Sequence, residues 1–212
     1  LFTLANLAGG LNGLARGAVL FLLTFFLQGP YGKNPLQAGI LTAPFGLAFL
    51  AVGPVSGYLS DRHGSRGLAT AGLLVSGVGL LGLATITETT SYMLLAVFMI
   101  LMGGGSGLFS SPNTNAIMSS VVPERRGIAS ATNIMLNNTG QMFSISIAFP
   151  LVLSRIPQTV MYHIFLYGGG MEKLPGMLQV FLSGLHRAFL VSFAVTLVAA
   201  AASFLRPGQA GA

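Results

Sequence analysis

The 212 residues are 53% hydrophobic and 7% charged, with ten Lys and Arg against four Asp and Glu, and no Cys. At a mean hydropathy of +0.78 this much apolar surface cannot be hidden in one soluble core, and without thiols neither disulfides nor thiolate metal sites can form. The net charge of +6 is scattered at the ends of apolar runs rather than gathered into a stripe, which excludes a nucleic-acid footprint and leaves a lipid bilayer as the partner.

Crossing the hydrocarbon takes about 20 mostly apolar residues, and six runs meet that length, at about 3–28, 36–60, 67–87, 91–113, 127–153 and 185–205. They are continuous and rich in Leu, Ala and Gly, whereas a membrane β-barrel needs short alternating segments. The predicted fold class is therefore an all-α integral membrane protein, a single six-helix bundle over 1–212, multi-pass in the cell (inner) membrane. The chain starts at Leu1 without Met and lacks the charged leader and cleavage site of a signal peptide, so it reads as a fragment.

The first run carries Arg16 near its middle, with Asn12 one turn earlier on the same face and Gly9 and Gly13 beside them. A guanidinium at membrane depth costs about 2.5–3.5 kcal/mol on insertion scales and marks a functional site by default. The competing reading has the span start near Arg16 and the charge snorkel to the interface; residues 17–28 alone are too short to cross, which favours the interior reading. After the turn Gly29-Pro30-Tyr31-Gly32-Lys33-Asn34-Pro35, the second run contains Pro44 and Pro54, which free carbonyls and bend helices.

Between the second and third runs stands Gly57-Tyr58-Leu59-Ser60-Asp61-Arg62-His63-Gly64-Ser65-Arg66. Gly64 permits a tight turn, Asp61 can cap a helix or pair with an arginine, and Arg62 and Arg66 stay outside the hydrocarbon. Such a cluster is either a latch or a set of charges that only fixes orientation. The third run, and the last from 188 on, carry only Gly, Ser and Thr as small or polar residues, so both are expected at the lipid periphery.

The fourth run follows Thr87-Glu88-Thr89-Thr90 and ends in Gly103-Gly104-Gly105-Ser106-Gly107. Gly103 and Gly107 form a small-xxx-small face that admits a neighbouring helix. Gly105-x-Gly107 is followed by Leu108, Phe109 and Ser110 and follows no strand, so it is not a dinucleotide fingerprint. His63, His163 and His186 are too dispersed for a metal site, and no two acids form an acid/base pair. No enzyme activity, catalytic residue, metal or cofactor is predicted.

Pro123-Glu124-Arg125-Arg126-Gly127 leads into the fifth run, where Ser130, Asn133, Asn137, Gln141 and Ser144 interrupt an apolar background. At about 100° per residue these five fall within a sector of roughly 80°. Uncompensated amides in hydrocarbon cost several kcal/mol each, so the stripe must face protein or water. It is either a set of interhelical hydrogen bonds, worth about 0.6 kcal/mol each, or the wall of a hydrated substrate pathway; five stacked positions exceed what one packing contact needs. An outer loop over 154–184 holds the linker-like Gly168-Gly169-Gly170 and the stretch Gln158 to Tyr167, open between an interfacial helix and irregular chain.

Lys and Arg collect on the cytoplasmic side. That places Arg62, Arg66, Arg125, Arg126 and Arg206 inside, and Lys33, Arg155, Lys173 and Arg187 outside. Six spans can also form two inverted triplets, a transporter construction that leaves weak sequence traces.

The pattern Gly57-x-Leu59-Ser60-Asp61-Arg62-x-Gly64-x-Arg66 resembles the signature between the second and third helices of each six-helix half in the major facilitator superfamily, with Ser65 where a basic residue is frequent. The run from Gly103 to Gln141, with Pro112, Pro123-Glu124-Arg125-Arg126-Gly127 and Ala129-Ser130-Ala131, is similar to the fourth-to-fifth helix region of the C-terminal half, nearest to the multidrug proton-antiporter branch. The resemblance implies the C-terminal half of a secondary transporter, working by alternating access on a small amphipathic or cationic compound, with an N-terminal half as partner. It implies that the first, second, fourth and fifth spans line the cavity, with Arg16, Asn12, Asn133, Asn137 and Gln141 on the pathway and Gly57, Asp61, Arg62, Gly64 and Arg66 in a cytoplasmic gate. The alternative function is a membrane sensor or assembly subunit on the same scaffold. No Asp or Glu falls inside a predicted span, so a proton-coupled exchanger would carry its carboxylate in the other half.

Overall fold

The computed structural model describes residues 1–153 and 176–206; Gly168–Gly170 and the Gln158–Tyr167 stretch lie outside them. The described residues are helical with no strand. Helix α1 (Phe2–Gln28) ends at Gly29, one residue before Pro30. Two helices, α2 (Pro35–Leu41) and α3 (Ala43–His63), stand where one continuous span was expected over 36–60. Asn34 starts α2 with a reciprocal cap, accepting from Gln37 N at 2.8 Å, with Pro35 at the first position. Pro44 has no N–H to bond back to the preceding turn, so the ladder resets at Thr42 and Pro44 sits in the first turn of α3. Together they still have the length and hydropathy of one crossing.

Helix α4 (Ser65–Leu83) stops short of the expected 87. The Thr85 hydroxyl donates to Gly82 O at 2.7 Å and the Thr90 hydroxyl accepts from Thr87 N at 2.7 Å, so side-chain oxygens compete with the helix ladder. Helix α5 (Tyr92–Ser119), capped by Ser91, passes Pro112 and continues beyond 113. A short 3-10 turn, Pro123–Arg125, leads into α6 (Arg126–Leu153). Helix α7 (Met177–Phe204) begins inside the stretch expected as outer loop, behind Gly176 at φ +81°. Among the described residues five crossings, α1, α2 with α3, α4, α5 and α7, are long and apolar enough to span a membrane; α6 is as long, but its amides leave it short of that apolar standard.

The helices pack as two triplets. α1 lies between α6 and α7, α5 lies between α3 and α4, and α4 meets α7 behind them. Exchanging α1 with α5, α3 with α6 and α4 with α7 interchanges the major helix pairs, as in an inverted repeat. One device serves both triplets. A Cβ on Gly13 or Gly17 of α1 would collide with the backbone of Asn137 or Gln141 on α6, and one on Gly103 or Gly107 of α5 with that of Phe45 or Phe49 on α3. Lipid tails give helices no hydrophobic incentive to associate, so close van der Waals approach at such small residues carries the packing.

The largest apolar core fills the end opposite Asp61, Arg66, Arg126 and Arg206. There Leu22, Leu23 and Phe26 meet Leu80, Leu83, Leu95, Met99, Phe181 and Phe189. Toward the end bearing Asp61, Arg66, Arg126 and Arg206 the core thins to Ala8, Ala69, Leu73, Phe109 and Ala199, and polar groups enter.

Candidate functional site

A cavity of about 240 Å³ lies in that half of the bundle. Helix α1 contributes Gly9, Asn12 and Arg16, α5 contributes Ser110, Asn113 and Thr114, and α6 contributes Asn133, Asn137 and Asn138. Helices α3, α4 and α7 contribute none of its lining, so the second span, expected on the cavity wall, stands behind it; its Phe49 ring lies under the Arg16 guanidinium, 5.6 Å from the centroid. Gly9 leaves room for the amides: a Cβ there would stand 3.0 Å from Asn133 Oδ1 and 3.4 Å from Asn113 Nδ2, so a side chain would push these two amides of α6 and α5 back by a few tenths of an ångström.

The stripe on α6 divides between the two readings. Asn137 Nδ2 donates to Gly9 O at 3.1 Å and its Oδ1 accepts from Gln141 Nε2 at 2.7 Å. Ser144 Oγ, fully packed, accepts from Ala18 N at 2.9 Å. Asn137 and Ser144 therefore tie α6 to α1, while Asn133 and Asn137 also line the cavity; Gln141 bonds within α6, is not part of the lining and acts on it through Asn137. The other triplet carries a comparable tie, Ser56 Oγ donating to Gly107 O at 3.0 Å.

Arg206 has a different place from the one its sequence position implies. Read as an orienting charge past the last span, it instead turns back into the bundle and is 1% exposed. Its Nη1 donates to Asn113 Oδ1 at 2.8 Å and its Nε to Ser203 O at 3.1 Å. Asn113 Nδ2 in turn donates to Ala5 O at 3.1 Å, so one guanidinium under the cavity floor joins α7, α5 and α1. Burial, and secondarily the nearby Arg66 charge, push this guanidinium down to about 10, still a cation at pH 7. No periodicity marks this residue; its only sequence signal is an arginine directly after a helix whose last turn offers Ser203.

The residues from Gly57 to Arg66 sit apart from the cavity, at the arginine-bearing end. Asp61 Oδ1 accepts from Asn115 Nδ2 of α5 at 3.2 Å. Arg62 lies over the Tyr58 ring at 4.5 Å and Arg66 over Phe204 at 4.7 Å. Gly57 faces Ser111, whose Oγ would stand 2.7 Å from a Cβ. Gly64 turns the chain at φ +85°, ψ 153°, a region essentially restricted to glycine. Gly64→Ala is expected to lower stability by about 1–3 kcal/mol, read as a drop in the thermal midpoint of the purified protein. Among the described residues no group of three or more His, Asp or Glu side chains could hold a metal ion.

Comparison with known proteins places this architecture. Residues 5–210 match the family model described as Major Facilitator Superfamily. The riboflavin transporter RibZ of Clostridioides difficile is 31% identical over 148 residues, 70% of this chain and 32% of that protein. The methylenomycin A resistance protein of Streptomyces coelicolor is 33% identical over 144 residues, 68% of this chain and 30% of that one. The chain thus matches about a third of the length of these curated relatives. The fold is shared with the Escherichia coli fucose:proton symporter FucP, at a TM-score of 0.73 and 17% identity over 99% of this chain and 49% of that one. On the match over nearly its whole length, the chain belongs to the Major Facilitator Superfamily and is a multi-pass membrane protein of a transporter family, not an enzyme.

Proposed function

We propose that this chain forms a six-helix half of a secondary transporter that moves a small molecule by alternating access, together with a second half. The observation that carries the reading is the polar cavity on α1, α5 and α6, lined by Asn12, Arg16, Asn133 and Asn137, inside a bundle of apolar helices long enough to span a membrane. Amides and a guanidinium are tolerated there because they border water or cargo rather than lipid. The uncovered faces of α3 and α6, with Leu47, Leu50, Met135 and Met142 exposed, are where the second half packs. In this reading Asp61, Arg62 and Arg66 latch the cytoplasmic side, and Gly57 and Gly64 shape the loop that presents them.

Drug/proton antiport is the finer form of the proposal. It requires a carboxylate from outside the described helix interiors, because Asp61, Glu88 and Glu124 lie at helix ends and turns and Glu172 lies outside the described residues. The relatives make riboflavin and methylenomycin A the first cargoes to assay. In membrane vesicles holding the full-length protein, Asn137→Leu and Gln141→Leu are each expected to cut transport at least about tenfold, with normal expression. Unchanged transport by both variants would remove these residues from the pathway.

A further inference from the structure

We infer, building on the pathway reading above, that the cavity takes the anionic group of its cargo, with Arg16 as the residue that holds it. Three observations converge on this. The lining supplies one full charge, Arg16, and four asparagine amides beside Asn113, but no carboxylate. Of the three described acids, Asp61 bonds to Asn115 at the bundle's end, and Glu88 and Glu124 are exposed in turns; Glu172 lies outside the described residues. Arg16, partly exposed in the cavity, offers one face to Phe49 and makes no hydrogen bond among the described residues, so the edge of its planar fork is unspent. That edge is the part of a guanidinium that pairs with a carboxylate through two parallel N–H bonds.

The second guanidinium adds to the same field. Arg206 donates to Asn113 Oδ1 from beneath the floor, and no carboxylate is present among its described hydrogen-bond partners. A low-dielectric cleft bordered by two cations concentrates anions and repels cations. A cation as cargo, one option left open by the resemblance to multidrug exchangers, finds no carboxylate on this wall to offset the two guanidinium charges; the N–H groups of Asn12, Asn133 and Asn138 can donate to a carboxylate-bearing molecule.

The test uses the full-length protein with any cysteine outside this chain replaced, since this chain has none. A single cysteine is placed by Asn133→Cys and, as an exposed control, by Val122→Cys. Each is reacted with an anionic sulfonatoethyl and a cationic trimethylammonioethyl methanethiosulfonate. The anionic reagent is expected to gain at least about tenfold over the cationic one at Asn133→Cys relative to the control. Arg16→Gln should collapse that ratio, while Arg16→Lys keeps most of it. Benzoate should slow labelling at Asn133→Cys more than neutral benzamide does. A cationic preference, a ratio indifferent to Arg16→Gln, or equal slowing by benzoate and benzamide would overturn the anion assignment while leaving the pathway intact. Labelling by neither reagent would instead overturn the pathway reading itself.

Discussion

Gly13→Val is expected to abolish accumulation of the folded protein, and Gly17→Leu to do nearly the same. At both positions the obstacle is the backbone of α6 rather than a side chain that could swing away: a Cβ on Gly17 would lie 2.6 Å from Gln141 Cα. Overpacking a core usually costs about 1–3 kcal/mol and more where nothing can yield, and here α1 would have to move off α6, taking the Asn137 to Gly9 hydrogen bond with it. Gly103→Val should fail in the same way, because it meets the backbone of Phe45 in the related triplet. Gly46→Val is the control, since nothing lies within 4 Å of a Cβ there. Fluorescence-detected size-exclusion of detergent extracts checks the set: a monodisperse peak for Gly46→Val and loss of it for the other three.

Arg206→Met should lower stability by about 2–3 kcal/mol, the cost of leaving buried partners of a charged donor unpaired. Asn113 Oδ1 would lose its donor in a site where Asn113 is 2% exposed. Arg206→Lys should recover little, because an ammonium on a flexible stem cannot serve Asn113 and Ser203 with one rigid fork. The measurement is a double-mutant cycle with Asn113→Leu, read by thermal unfolding in detergent. Coupling of about 0.5–3 kcal/mol is expected for residues in direct contact, and additive losses would show that Arg206 and Asn113 do not work as a unit.

Much of this bundle is written in composition and period. The six apolar runs are visible because crossing lipid demands length and leaves nearly all charges, Arg16 apart, toward the ends. The stripe on α6 is visible because side chains spaced by three and four residues share a face. Sequence could not divide that stripe, since whether Asn137 meets a carbonyl or open space depends on how closely α1 approaches. The approach is set by Gly13 and Gly17, whose meaning appears only once α6 lies against them. The break at Thr42 was hidden by unbroken hydropathy on both sides, although Pro44 supplied its cause. Arg206 was the least legible: an arginine after the last apolar run satisfies the rule for topogenic charges equally well whether it points to water or back under the cavity floor.

The pathway itself is tested most directly by the accessibility of Asn133→Cys in the full-length protein to a neutral, membrane-impermeant maleimide applied in turn to each side of sealed vesicles. Leu73→Cys, fully buried between helices, serves as the sealed reference. Asn133→Cys is expected to react from the cytoplasmic side in one state of the transporter and from the opposite side in the other, while Leu73→Cys stays silent. An Asn133→Cys as silent as Leu73→Cys from both sides would contradict the pathway, and would leave the amides of α6 as interhelical packing alone.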